Sequence, residues 1–199
     1  LFRSIWWLGP GNNIRFEDCK VENYGFGMTL QGYTGTMTNF TIHRSVIVDS
    51  HSNSSHAEGI YASKYDGLTV TECVLDKNGW KAGTAATPNM FNHNAYFDIL
   101  GDNLVFSRNV VCDASSHGVQ LRPGAIAEDN LFMKNPIGLQ IGFGHKASAD
   151  TGLVGDDDDM AECAGKLLHR SLKPGHRYPF IRRFYVVVGR AYIQYTVPV

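Results

Sequence analysis

The chain has 199 residues, 43% of them hydrophobic, with 18 Lys and Arg against 19 Asp and Glu. That is enough for one domain with a sizeable core, and a formal charge near zero gives no support for binding nucleic acid or an anionic membrane surface. No apolar stretch approaches the roughly 18 residues of a membrane span, and Cys19, Cys73, Cys112 and Cys163 form no C-x-x-C pair, which argues against zinc and for buried thiols.

The chain opens on Leu1, Phe2, Arg3, Ser4, Ile5, Trp6 and Trp7, without Met and too short and polar for a signal peptide, so it reads as beginning inside a longer protein. A repeated segment then appears at residues 13–21 and returns at 39–47, 67–75, 103–111 and 124–132. Each copy begins with Asn or Gly, alternates apolar and polar residues, and ends on a small polar residue followed by an apolar pair. The seventh column holds Cys19, Ser45, Cys73, Asn109 and Asn130, at steps of 26, 28, 36 and 21 residues. A fixed motif at variable steps means a constant coil with loops of different length.

A second strand recurs between these segments, at residues 27–31, 59–63, 94–98, 118–122 and 138–142. Its second and fourth positions are apolar (Met28 and Leu30, Ile60 and Ala62, Ala95 and Phe97, Val119 and Leu121, Leu139 and Ile141), while its third and fifth are mostly polar. Period-2 alternation puts one face into a core and the other outside. The longest step contains residues 79–84, a loop able to form one wall of a groove, in which Trp80 is either a platform for a sugar or a packing anchor.

Past Gly144 the motif stops. Asp156, Asp157, Asp158 and Asp159 read as a solvated link, since four adjacent carboxylates cannot all face one ion. Residues 160–172 are expected as a short helix, and residues 185–188 and 192–195 as two strands. The expected organisation is therefore 1–145 as solenoid coils and 146–199 as a linker with an atypical C-terminal segment.

Short strands, turn-forming Asn and Gly, and no helical period describe an all-β solenoid of about five coils. Over residues 10–145 the sequence resembles the right-handed parallel β-helix proteins of the pectate-lyase-like superfamily. The seventh column matches the place where those proteins stack small polar residues as a buried ladder that satisfies turn backbone groups. A β-sandwich would instead pair its strands antiparallel through short hairpins.

Stacking the second strand in register brings side chains of successive coils about 4.8 Å apart. The middle coils then present Glu58, His93 and His117 at the corner, Tyr61, Tyr96 and Gln120 in the third position, and Ser63, Asp98 and Arg122 in the fifth. His93 and His117, like Tyr96 and Gln120, are 24 residues apart, so both pairs fall on one rung step. Two imidazolium ions about 5 Å apart would repel by about 3 kcal/mol at an effective dielectric near 20, so at least one ring is expected neutral near pH 7, as a general base requires.

Many enzymes of the resembled superfamily act on acidic polysaccharides. The resemblance implies β-elimination on a uronate polymer, outside the cytoplasm, by a monomer needing no cofactor, with Ca2+ left open. It assigns Arg122 to the substrate carboxylate, His117 or His93 as base, and Tyr96 as acid. Asn94 and Gln120 would hold the carboxylate or a hydroxyl, Tyr61 would stack on a sugar, and Glu58, Asp98 and Trp80 would line the substrate path. Calcium-dependent pectate lyases carry several carboxylates on this face, where only Asp98 and Glu58 stand here. Glycoside hydrolysis or epimerisation on the same scaffold, and a non-catalytic glycan-binding solenoid, are the alternatives.

Overall fold

The computed structural model describes residues 3–53 and 56–142, together with the strand backbones Phe184–Val188 and Ala191–Tyr195. Its turns explain the repeat. The residue that opens each repeated segment has left-handed backbone: Asn13 (φ 57), Asn39 (φ 54), Gly67 (φ 78), Asn103 (φ 51) and Gly124 (φ 83). Asn and Gly enter that region at least cost, which is why one of them stands there in every coil. Two further left-handed positions follow in each coil, at Asp18, Arg44, Glu72, Arg108 and Asp129, and then at Asn23, Asp49, Lys77, Asp113 and Lys134. Three sharp bends per coil divide the chain into three short strands that face three ways.

Each side becomes a parallel sheet. The first holds Arg3–Leu8, Phe26–Gln31, Glu58–Ser63, His93–Phe97, His117–Leu121 and Ile137–Ile141, stacked in that order. The second runs from Gly11–Asn12 and Arg15–Glu17 through Met37–His43, Tyr65–Thr71 and Val105–Ser107 to Ile126–Glu128. The third stacks Lys20–Glu22, Val46–Val48, Val74–Asp76, Val110–Cys112 and Leu131–Met133. Pairing within all three is parallel, and coil follows coil in chain order. This is a right-handed parallel β-helix, as expected, and the hairpins of a sandwich are absent from the described coils. Five coils carry all three sheets, and the first sheet has one further strand; its member Arg3–Leu8 lies outside the repeat pattern of the sequence.

Apolar side chains from the three sheets fill the interior. Met28, Ile60, Ala95 and Val119 form one inward column of the first sheet, and Leu30, Ala62, Phe97 and Leu121 the next, each 0% exposed. Large and small residues complement one another: Phe97 stands beside Ala62 and meets Tyr65 and Phe106 edge-on, with centroids at 6.4 and 5.9 Å. The seventh column forms the expected internal ladder. Cys73 N–H donates to Asn109 Oδ1 at 2.9 Å, Asn109 N–H to Asn130 Oδ1 at 3.0 Å, and Cys19 N–H to Ser45 Oγ at 3.1 Å. Buried turn amides thus find acceptors one coil away.

A second ladder, unforeseen, runs along the corner between the third and first sheets. Ser50 N–H donates to Asn78 Oδ1 at 3.0 Å and Ala114 N–H to Asn135 Oδ1 at 3.0 Å. Between them the chain has Ala114 where an amide would stand, and Asn94 fills the gap. Its Oδ1 accepts from Asn78 N–H and Nδ2, at 3.1 and 2.8 Å, and its Nδ2 donates to Cys112 O at 2.8 Å.

Of the cysteines, Cys73 is buried, Cys19 and Cys112 are only half-buried, and all three are free thiols. Phe184–Val188 pairs antiparallel with Ala191–Tyr195, matching the two strands expected there. The expected helix at 160–172 and the acidic link at 156–159 lie outside the described residues. No helix of the described residues is long and apolar enough to cross a membrane.

Candidate functional site

The outer side of the first sheet is where the sequence-derived residues gather. Trp6, Thr29, Tyr61, Tyr96, Gln120 and Gln140 are register partners in one column. Glu58 pairs with His93 in the column at the corner. A regular pleat would send His93 and Tyr96 to opposite faces. Here Asn94 and Ala95, both 0% exposed, turn inward together at the corner. His93 and Tyr96 therefore emerge on the same side, with rings stacked at 5.5 Å and 14°. Tyr96 also stacks on Tyr61 of the neighbouring coil at 5.5 Å and 13°.

His93 and His117 are neighbours, with ring centroids 4.8 Å apart and Nδ1 atoms at 3.1 Å. His117 Nδ1 also meets Ser116 Oγ at 2.8 Å, a contact that strand alternation does not foretell. Arg122 Nη1 donates to the Tyr96 hydroxyl, and its guanidinium carbon lies 5.8 Å from the centre of that ring. Four residues reached by solvent thus come together on this face: Tyr61, Tyr96, His117 and Arg122.

Burial sets the charge state of the corner. It pushes the His93 imidazole down to about 3, with His117 and His56 adding smaller repulsions, and it lowers His117 as well. Both rings are uncharged at neutral pH. Burial also pushes the Glu58 carboxyl up to about 8, so it mostly keeps its proton there. Glu58 Oε2 has no hydrogen-bond partner, and Oε1 lies 3.9 Å from His56 Nδ1. The Tyr61 phenol is held protonated, first by burial and then by the negative charge of Asp98.

Other expected residues lie elsewhere. Asn94 is not on this surface at all: its amide is consumed by the corner ladder and cannot touch a substrate. Gln120 is in the Tyr96 column but only 6% exposed. Asp98 shapes a turn, its carboxylate accepting from Leu100 N–H at 3.1 Å and from Ser63 Oγ at 3.4 Å. Trp80 is half-buried in its loop, its indole N–H donating to Asp113 O at 2.7 Å. That loop is tied down again by Ser115, which exchanges hydrogen bonds with the Asn89 backbone at 2.7 and 2.9 Å. It carries exposed Phe91 to 5.7 Å from the His56 ring, beside the corner.

Among the described residues one set has metal-ligand spacing, Asp76, Cys112 and Asp113, at the third sheet rather than here. Burial, then the Asp76 hydrogen bond, push the Cys112 thiol up to about 12, so it is protonated.

Coils, ladders and a flat outer face define a class, the right-handed parallel β-helix proteins. The family described as right handed beta helix region matches residues 5–151, and the chain belongs to it. No curated protein and no solved structure matches the chain.

Proposed function

We propose that the protein is a polysaccharide lyase that cleaves a uronate-containing glycan by β-elimination outside the cytoplasm. The observation that carries the reading is the pair of uncharged imidazoles on a rung step next to a tyrosine hydroxyl bonded by an arginine.

His117 is the base, because His93 is 5% exposed while His117 is half-buried and reached by solvent. The competent tautomer carries its proton on Nδ1, where Ser116 Oγ or His93 Nδ1 accepts it, leaving the Nε2 lone pair for the substrate. Nε2 takes the C5 proton of the uronate. The electron pair left at C5 forms the C4–C5 double bond, the bond from C4 to the bridging oxygen breaks, and Tyr96 delivers its proton to that oxygen. Arg122 faces the phenolate this leaves and neutralises the substrate carboxylate as charge builds at C5. His93 positions His117 through the contact between their Nδ1 atoms, and burial keeps His117 neutral.

Hydrolysis by a pair of carboxylates is less well supported, because Glu58 is 4% exposed and Asp98 is engaged in its turn. The test is incubation with alginate, polygalacturonate and related polymers, followed through the ultraviolet absorbance of the unsaturated product. His117→Ala and Tyr96→Phe are each expected to lower kcat by about 10²–10⁴ with unchanged circular dichroism. Activity surviving in both variants excludes this site, and new reducing ends without absorbance point to hydrolysis.

A further inference from the structure

We infer that Trp6 and Arg3 form a distal subsite that binds an anionic sugar of the glycan three rungs away from the reacting bond. The inference rests on the lyase reading for the identity of the ligand. Its geometry comes from the strand that the sequence repeat did not reveal. Trp6 occupies the same outward column as Tyr61 and Tyr96, through the register pairs Trp6 with Thr29, Thr29 with Tyr61, and Tyr61 with Tyr96. Successive rungs are about 4.8 Å apart, so Trp6 stands about 14 Å from Tyr96 along the stack. One rung is close to the length of one sugar ring in an extended chain, so a glycan lying across the strands passes one ring per coil.

The chemistry of the spot is that of a uronate. Trp6 is 55% exposed, and an indole face is a platform for the C–H side of a pyranose. Arg3 lies with its guanidinium carbon 4.1 Å from the centre of that indole and 5.2 Å from the centre of the Phe26 ring. Among the described residues no carboxylate stands within ion-pair distance of Arg3. A cation stacked over one face of an indole that is still 55% exposed suits a sugar that carries a carboxylate. In the rung between the two aromatics, the Thr29 hydroxyl is buried without a hydrogen-bond partner. The reacting centre holds its own cation, Arg122, so Arg3 serves a different sugar of the same chain.

The experiment compares the full chain with its Trp6→Ala, Trp6→Phe and Arg3→Ala variants on uronate trimers and on long alginate and polygalacturonate chains. Trp6→Ala and Arg3→Ala are expected to raise KM on long chains about tenfold, the scale of one exposed stacking or charge contact, with kcat unchanged and no effect on trimers. Trp6→Phe is expected to restore most of the loss. An equal effect on trimers and long chains, or none on either, overturns the subsite while leaving the lyase reading intact. If the wild type releases no unsaturated product, electrophoresis through gels containing the same polymers, with dextran as a neutral control, decides. Retardation by the acidic polymers that Trp6→Ala abolishes keeps the subsite and rejects the lyase reading, and retardation that is absent or indifferent to Trp6→Ala overturns the subsite.

Discussion

Glu58 and His93 sit on adjacent rungs, and burial acts on them in opposite senses. The folded state holds the Glu58 proton more tightly than the unfolded chain does. Its contribution to stability is full below 4.5, the ordinary value, and is lost as pH rises toward about 8. The folded state holds the His93 proton less tightly. Its contribution is full above 6.5 and is lost as pH falls toward about 3. The two slopes oppose each other between those ordinary values, so Glu58 alone shapes the alkaline side. Glu58→Gln, which cannot ionise, is expected to gain Tm relative to wild type as pH goes from about 6 to about 9. A difference that stays flat over that range shows that the carboxyl is not held protonated by the fold. The rung step between His93 and His117 was legible from their spacing, because period-2 alternation fixes register. The double inward turn at Asn94 and Ala95 was not, because a corner breaks the alternation on which the reading relied. Nor was Ser116 legible, since a neighbour in sequence touches a side chain only when the local bend allows it.

Elements are held in register by side chains that bridge coils, and Asn94 shows how finely these are matched. The other residues in its column are Ser4, Gly27, Gly59, Gly118 and Gly138. A Cβ at Gly59 would stand 2.7 Å from Asn78 Nδ2, and one at Gly118 2.8 Å from Asn135 Nδ2. Gly59 and Gly118 are therefore placed where the ladder offers an asparagine, and Asn94 where it offers Ala114. Asn94→Gly strands the Asn78 groups and is expected to cost about 1–3 kcal/mol. Ala114→Asn collides with Asn94 and is expected to destabilise as well. The double variant is expected to recover most of the loss, with a coupling energy above about 1 kcal/mol in denaturant unfolding. Additive losses would deny the exchange. Both halves of this signal stood in the sequence, but pairing a missing glycine with a missing asparagine 20 residues on requires knowing that the two columns touch.

A second bridge is electrostatic. Asp18, Arg44, Glu72, Arg108 and Asp129 fall in one turn column and alternate in sign. Arg44 Nε donates to Asp18 Oδ1 at 2.9 Å and Arg108 Nε to Glu72 Oε1 at 3.1 Å. Arg44→Glu places three like charges on successive coils. Its Tm is expected to fall below wild type, and the gap to narrow in high salt because these charges face solvent. A gap insensitive to salt would mean that the turn backbone, not charge, is responsible.

At the scale of the molecule, each coil touches only its neighbours, so stability is a sum of coil-to-coil contacts. Core positions in the middle coils, such as Ile60 and Phe97, are 0% exposed, while Ile5, Trp7, Leu139 and Ile141 at the two ends of the first sheet are only partly buried. Amide exchange in this chain is expected to be slowest in Glu58–Ser63 and His93–Phe97 and faster toward Arg3–Leu8 and Ile137–Ile141. Uniform protection would contradict a nearest-neighbour stack. The strand Arg3–Leu8 escaped the sequence reading because it lacks the Asn or Gly start used to find the others, although Ile5 and Trp7 alternate as Met28 and Leu30 do.

The same architecture places His117, Tyr96 and Arg122 on one face, and the reaction that follows leaves a chemical signature. Proton nuclear magnetic resonance of the products from a digested uronate polymer reads it directly. Elimination is expected to give one olefinic proton at C4 of the new terminal ring for every new reducing end, in the wild type and not in His117→Ala. New reducing ends without that olefinic signal, or the same signal from both proteins, would contradict it.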